Sequence, residues 1–272
     1  MILRSSPTQN PTVWQPVNVV AIHDGAAAPP RRQPHRRSGA QTGRRLADDA
    51  VLPAWMRPMV DRLDGATLPR WVLHATPPAP DDARRSAVLM LLANGATGPD
   101  LLLTQRSALL RSHAGQPAFP GGALEVGEGP VAAALREASE ETGLDPDSVI
   151  PAAMLPPMYL RPSRFVVRPV LAHWRTPGPV RPVDPHETDR VVRVPVAELA
   201  DPAHRGTVVL RPGGDRGLQR ELRTPAFDVA GLVVWGFTAG LVDLLLEWGG
   251  WAVPWDRDRV LAPAGWPVDA RR

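Results

Sequence analysis

Apolar residues gather in runs whose spacing changes along the chain. Residues 87–93 (AVLMLLA) form an apolar run of strand length, and 100–106 carries a second around Leu101, Leu102 and Leu103. Both predict β-strands. Between Pro130 and Thr142 the period changes. At about 100° per residue, Val131, Ala134, Leu135 and Ala138 fall on one stripe, while Glu137, Glu140 and Glu141 share a separate arc of roughly 100°. Pro130 suits a first helical position and Gly143 the left-handed residue after a last turn, so the spacing predicts a helix over Pro130–Thr142. Residues 164–174 and 188–196 read as strands, with Pro195 marking an edge or a strand end. Val196–Ala200 reads as a helical turn and Leu222–Val229 as a late strand. The apolar stretch 232–248 has helical character and approaches the membrane-span threshold of about 18 residues. Asp243 and Glu247 interrupt it, which predicts a helix packed on a sheet. Strands and helices interleaved in this way predict an α/β fold with a mixed sheet and helices on both faces. No internal repeats or heptads are visible.

The two ends of the chain lack this patterning. Residues 1–50 mix Pro, Gly, Gln and Arg without an apolar period, which predicts a disordered basic extension. They also lack the apolar run and cleavage site of a secretory signal. Order is expected to begin near Val51, with 51–85 a helical or irregular lead-in and 249–272 an irregular, locally packed tail. The chain of 272 residues is 43% hydrophobic, ample for a core. Its net charge of +3 is a tail effect: residues 1–50 hold seven Arg against three Asp, and the remainder is close to neutral. A nucleic-acid-binding face is therefore not expected. The absence of cysteine excludes disulfides, thiolate catalysis and cysteine zinc sites.

The acidic arc of the helix is the first candidate for chemistry. Carboxylates three and four residues apart repel one another, and Arg136 is the only cation on the helix. A hard divalent ion would turn that repulsion into binding. The pattern alone fits either such a site or a solvated acidic face. Upstream, Arg106 and Arg111 stand five residues apart in a loop, suited to phosphate oxygens or to surface ion pairs. His113 in the same loop reads as a neutral, hydrogen-bonded histidine. In Phe119-Pro120-Gly121-Gly122 the two glycines allow close approach of backbone to a ligand.

Taken together, Gly122, Glu128, Arg136, Glu137, Glu140, Glu141, Gly143 and Leu144 resemble the Nudix box, G-x5-E-x7-R-E-U-x-E-E-x-G-U, where U is bulky and apolar. The one soft departure is Ala138 at the first U position. The run Leu102-Leu103-Thr104-Gln105-Arg106-Ser107, with Arg111, Gly115 and 119–122, is similar to the signature of the coenzyme A pyrophosphatase branch. Residues 234–239 (VWGFTA) resemble a segment near the end of such domains, so the resemblance spans 86–248. It implies the Nudix α/β/α sandwich, a mixed β-sheet with a loop–helix–loop catalytic box, and a hydrolase of nucleoside diphosphate derivatives. By this resemblance Glu137, Glu140 and Glu141 would hold Mg²⁺ or Mn²⁺, with the Gly121 carbonyl as a further oxygen. Arg136 would complete the catalytic set by orienting a glutamate, with Glu137 or a downstream acidic residue as base. Arg106, Arg111, Gly121 and Gly122 would meet the substrate. Coenzyme A or a derivative is the implied substrate, with ADP-ribose or NADH as alternatives and a non-catalytic nucleotide sensor as a further one. A small-molecule nucleotide partner, a cytoplasmic location and no membrane or nucleic-acid partner are expected, and a homodimer is allowed.

Overall fold

The computed structural model describes residues 42–66, 79–110, 113–160, 163–210 and 222–263. In chain order they form β1 (Arg44–Arg45), α1 (Arg57–Leu63), β2 (Arg84–Gly95), β3 (Gly98–Arg106), β4 (Pro117–Ala118), β5 (Gly121–Ala123), α2 (Pro130–Thr142) and β6 (Val149–Met154). There follow β7 (Met158–Leu160), β8 (Phe165–Trp174), β9 (Thr188–Pro195), α3 (Val196–Ala200), β10 (Arg205–Leu210), β11 (Leu222–Val229), β12 (Leu232–Val234) and α4 (Gly236–Gly249).

Strand β2 is the spine of the larger sheet. It runs parallel to β8 from Arg84 opposite Phe165 to Ala93 opposite Trp174, and antiparallel to β3 at its hairpin end, Leu92 opposite Leu101. Towards the other end, β2 pairs with β5 at Ser86, Ala87 and Val88, while β3 pairs with β4 at Thr104 and Gln105. The chain from β4 to β5 thus lies between β2 and β3 where they cease to pair directly. Strand β9 pairs with the far side of β3, and β6 and β7 pair with β8. Parallel and antiparallel pairs together make the sheet mixed.

Alternation along β2 divides the core in two. Ala87, Leu89, Leu91 and Ala93 pack with Val170, Ala172 and Trp174 of β8 and with Ala133, Ala134 and Ala138 of α2. Met90 and Leu92 point the other way, to Leu171, to Met59, Val60 and Leu63 of α1, and to Leu241, Val242 and Leu245 of α4. Helices therefore cover both faces, the α/β/α sandwich. Burial on both faces is why 87–93 reads as a continuous apolar run. Ala138 is fully buried, and three alanines in a row of contacts let α2 approach the sheet closely. Its small size thus belongs to the packing.

The stretch 232–248 is not helical throughout. Ala230 and Gly231 both have positive φ (51° and 69°), making a tight turn after which Leu232–Val234 pairs with β11 before α4 begins. An apolar segment of three residues carries no period that could tell strand from helix. Strands β10, β11 and β12 form a second, antiparallel sheet against which α4 packs. Among the described residues no helix is long and apolar enough to cross a membrane.

Order also begins earlier than Val51. Arg44 and Arg45 pair with Met154 and Ala153 of β6, and the Arg45 guanidinium binds Asp49 and Asp61. Main-chain pairing and ion pairs hold this segment, and neither leaves an apolar pattern to read. Residues 1–41 lie outside the described residues. Residues 251–263 form no helix or strand, apart from a bridge between Val260 and Thr207 of β10.

Candidate active site

The carboxylates of α2 meet the double glycine of β5. At Gly121 a Cβ would lie 2.3 Å from the Ala87 carbonyl oxygen and 2.7 Å from the Val88 Cα, so backbone against backbone leaves no room for a side chain. Its N–H donates to Glu141 Oε2 at 3.2 Å. At Gly122 a Cβ would lie 2.4 Å from Glu137 Cδ, because that carboxylate rests on the glycine itself. Just upstream, Phe119 is buried and the Leu89 N–H donates to the Pro120 carbonyl at 2.8 Å. Each glycine thus seats one glutamate.

Arg136 braces the remaining acids. Its Nε and Nη2 donate to the two oxygens of Glu128, each at 3.0 Å, a bidentate contact. Nη1 donates to Glu137 Oε1 and Glu140 Oε2, both at 3.1 Å, and Nη2 also reaches the Ala123 carbonyl at 3.0 Å. A guanidinium has five N–H donors, so these bonds commit all of them. Arg136 has none left for a substrate and acts by orienting the acids.

Arg136 serves Glu128, Glu137 and Glu140, while Glu141 feels the charge of Arg106. The Arg136 hydrogen bond holds Glu128 below the usual carboxylate range, and Glu128 in turn holds Arg136 firmly charged. Burial pushes Glu137 up despite Arg136. Glu141 is pushed up to about 7, chiefly by burial. The Gly121 N–H and the Arg106 charge oppose that rise, while Glu137 and Glu187 add to it.

Among the described residues no three His, Asp or Glu groups are gathered into a metal cage. The donor set nevertheless suits a hard cation. Arg136 takes only Oε1 of Glu137 and only Oε2 of Glu140, and Gly121 takes only Oε2 of Glu141. The second oxygen of each glutamate has no hydrogen bond to a described residue. Oxygen-only donors with excess negative charge match Mg²⁺ or Mn²⁺ chemistry.

The family described as NUDIX domain matches residues 83–212. A Nudix hydrolase NudL of Klebsiella pneumoniae is 37% identical over 175 residues, covering 61% of this chain and 83% of that protein. The chain belongs to the Nudix hydrolase family. A NudL of Klebsiella aerogenes is 47% identical over 101 residues, 37% of this chain and 83% of its own. A probable nudix hydrolase of Schizosaccharomyces pombe is 33% identical over 62% of this chain, which spans 58% of that relative's length. The solved Nudix hydrolase RenU of M. smegmatis is 24% identical, with a TM-score of 0.38 over 44% of this chain and 74% of its own. Nudix hydrolases act on phosphoric anhydrides and use divalent metal ions.

Around the Nudix box the structure places the other expected residues unevenly. Arg106 ends β3 with its Nε buried and without a hydrogen-bond partner among the described residues, and its charge acts on Glu141. Arg111 lies outside the described residues. His113 is exposed, with Nδ1 2.9 Å from Gln116 Oε1. Glu187 is an acidic residue that no sequence spacing singles out. The turn carrying it hangs from the end of α2, where Arg181 N–H donates to Thr142 O at 3.0 Å and Val183 N–H to Glu141 O at 3.2 Å. Its carbonyl accepts from Ser107 N–H at 2.8 Å, and Thr188 pairs opposite Arg106. These contacts, and not its own spacing, bring the Glu187 charge close enough to act on Glu141.

Proposed function

We propose that this chain is a Mg²⁺- or Mn²⁺-dependent diphosphatase that cleaves the diphosphate linkage of coenzyme A or a derivative to 3′,5′-ADP and 4′-phosphopantetheine. Two arginines at the site divide the work. Arg136 has every donor committed to Glu128, Glu137, Glu140 and Ala123, whereas the buried Nε of Arg106, whose charge acts on Glu141, has no partner among the described residues. That contrast carries the reading: Arg136 positions the acids, and Arg106 meets a phosphate. The substrate class rests on the run from Leu102 to Gly122 that contains Arg106.

Glu137, Glu140 and Glu141 would hold the metal, which when bound neutralises the diphosphate and lowers the pKa of a water. Glu137 accepts the proton of the attacking water. Its Oε1 is fixed by Arg136, and burial raises its affinity for a proton, both of which suit a base. Glu187, whose charge acts on Glu141, is the downstream acid that would serve the same step in its place.

Purified protein incubated with Mg²⁺ or Mn²⁺ and with coenzyme A, ADP-ribose or NADH, the products read by mass, tests this. Coenzyme A should give the highest kcat/KM. Faster cleavage of ADP-ribose or NADH overturns the substrate and keeps the chemistry. No metal-dependent cleavage of any overturns both.

A further inference from the structure

The segment that seats the carboxylates is held residue by residue. The Ala118 carbonyl accepts from Thr104 Oγ1 at 3.3 Å, the Pro120 carbonyl from Leu89 N–H at 2.8 Å, and the Ala123 carbonyl from Arg136 at 3.0 Å. Phe119 is anchored in the apolar core, and Gly121 and Gly122 meet Glu141 and Glu137. Phe119 packs in the core shared with α1, α4 and the second sheet, but every hydrogen bond in this set comes from β2, β3 or α2. The tether on Pro117 does not. Its carbonyl accepts from Thr238 Oγ1 at 3.3 Å, and Thr238 is a buried polar residue in the first turn of α4.

Pro117 has no N–H, so its carbonyl is its one main-chain hydrogen-bonding group. Thr238 lies outside residues 83–212 and belongs to the module of α4 and the second sheet, which also touches β4 through β12. A buried hydroxyl with a single acceptor is directional, and here it fixes where the path from Pro117 to the double glycine starts. A small shift of that path moves Gly121 and Gly122 away from the carboxylates they seat.

We propose that Thr238 is a positioning residue that sets the β4–β5 segment in register with Glu137 and Glu141, coupling the second sheet to the active site. In its effect on turnover this rests on the diphosphatase reading above, and in its effect on the segment it does not. The test compares Thr238→Val, which keeps the shape and removes the hydroxyl, with Thr238→Ser, which keeps the hydroxyl. In the metal-free protein, amide exchange at Leu89 and Gly121 should quicken about fivefold in Thr238→Val, the scale of one lost hydrogen bond, and return to the wild-type rate in Thr238→Ser. In the active enzyme kcat should fall by a similar factor with KM unchanged, and half-saturating Mn²⁺ should rise. Unchanged exchange in Thr238→Val, or a Thr238→Ser variant impaired as much, overturns the proposal. If the wild type hydrolyses nothing, the diphosphatase reading fails by itself, and the exchange rates still decide the role of Thr238.

Discussion

At the scale of single residues, Glu141 holds the sharpest conflict between stability and function. Its carboxyl is buried with one N–H donor, and its pKa is pushed up to about 7. A carboxyl whose folded pKa lies above its unfolded value binds more protons folded than unfolded. Its contribution to stability is present below about 4.5 and is lost as pH rises through about 7. The metal-free enzyme should therefore melt at a falling temperature from pH 5 to pH 8, and Glu141→Gln should lessen that fall while abolishing metal-dependent turnover. The difference between the two melting curves isolates Glu141 from other titrating groups; identical pH dependence would refute this account. Arg106 supplies a second prediction. If its unpartnered Nε meets a phosphate, Arg106→Ala loses a charge-assisted hydrogen bond of about 1.5–3 kcal/mol, a rise of roughly tenfold or more in KM for coenzyme A. A Lys in its place should recover little, because an ammonium lacks the planar fork. Steady-state kinetics of both variants decide it.

At the scale of elements, α2 and β5 work as one unit although only α2 was legible. Pro130, Gly143 and the stripe of Val131, Ala134, Leu135 and Ala138 bounded that helix from the sequence alone, and Gly143 does adopt the left-handed cap at φ 69°. The buried face centres instead on Ala133, Ala134 and Ala138, with Val131 and Leu135 at its margin. The strands β4 and β5 were not legible, being the sequences PA and GGA. Nothing in such residues favours a strand; the partners left open where β2 and β3 part make them one. The same holds for Glu187, which reaches the site through the pairing of β9 and not through its own spacing. Two adjacent glycines then predict different outcomes. Gly122→Ala collides with the Glu137 carboxylate, a side chain that can swing aside, so the protein should fold and lose about 10²-fold in kcat through the displaced acid. Gly121→Ala collides with the Ala87 carbonyl and the Val88 backbone, which cannot swing. It should cost about 1–3 kcal/mol of stability, as overpacking does. Melting temperature and kcat measured on both variants separate them, and equal effects would show that Glu137 is not seated on Gly122.

At the scale of the whole molecule, the larger sheet and its two apolar faces follow from the patterning, while the parts that fasten its ends do not. Trp55 stacks edge-on against His173 at 6.1 Å and lies 6.0 Å from Trp251, and Arg62 of α1 caps the last carbonyls of α4. Isolated tryptophans and arginines in irregular chain give no periodic signal. The C-terminal segment is fastened by a stack. Arg205 is almost fully buried, paired with Asp243, and lies over Phe227 at 5.0 Å and Trp255 at 4.7 Å, while Arg257 covers Trp255 from 4.8 Å. Burial lowers the Arg205 pKa, so its charge is tolerated because Asp243 and the two rings offset the lost water. Removing Trp255 would strip one ring from that guanidinium and release the segment that bridges to Thr207. Trp255→Ala should thus cost about 3 kcal/mol, several degrees in melting temperature, whereas Trp255→Phe, which keeps a ring over the cation, should cost under half as much. Turnover well below the melting temperature should stay within about threefold of wild type, since Trp255 stacks on Arg205 and Arg257 and takes no part in the Thr238–Pro117 hydrogen bond or in the contacts of the Nudix box glutamates. A Trp255→Ala protein as stable as wild type would mean that the tail merely rests on the domain and that Asp243 and the Phe227 ring suffice to keep Arg205 charged in its burial.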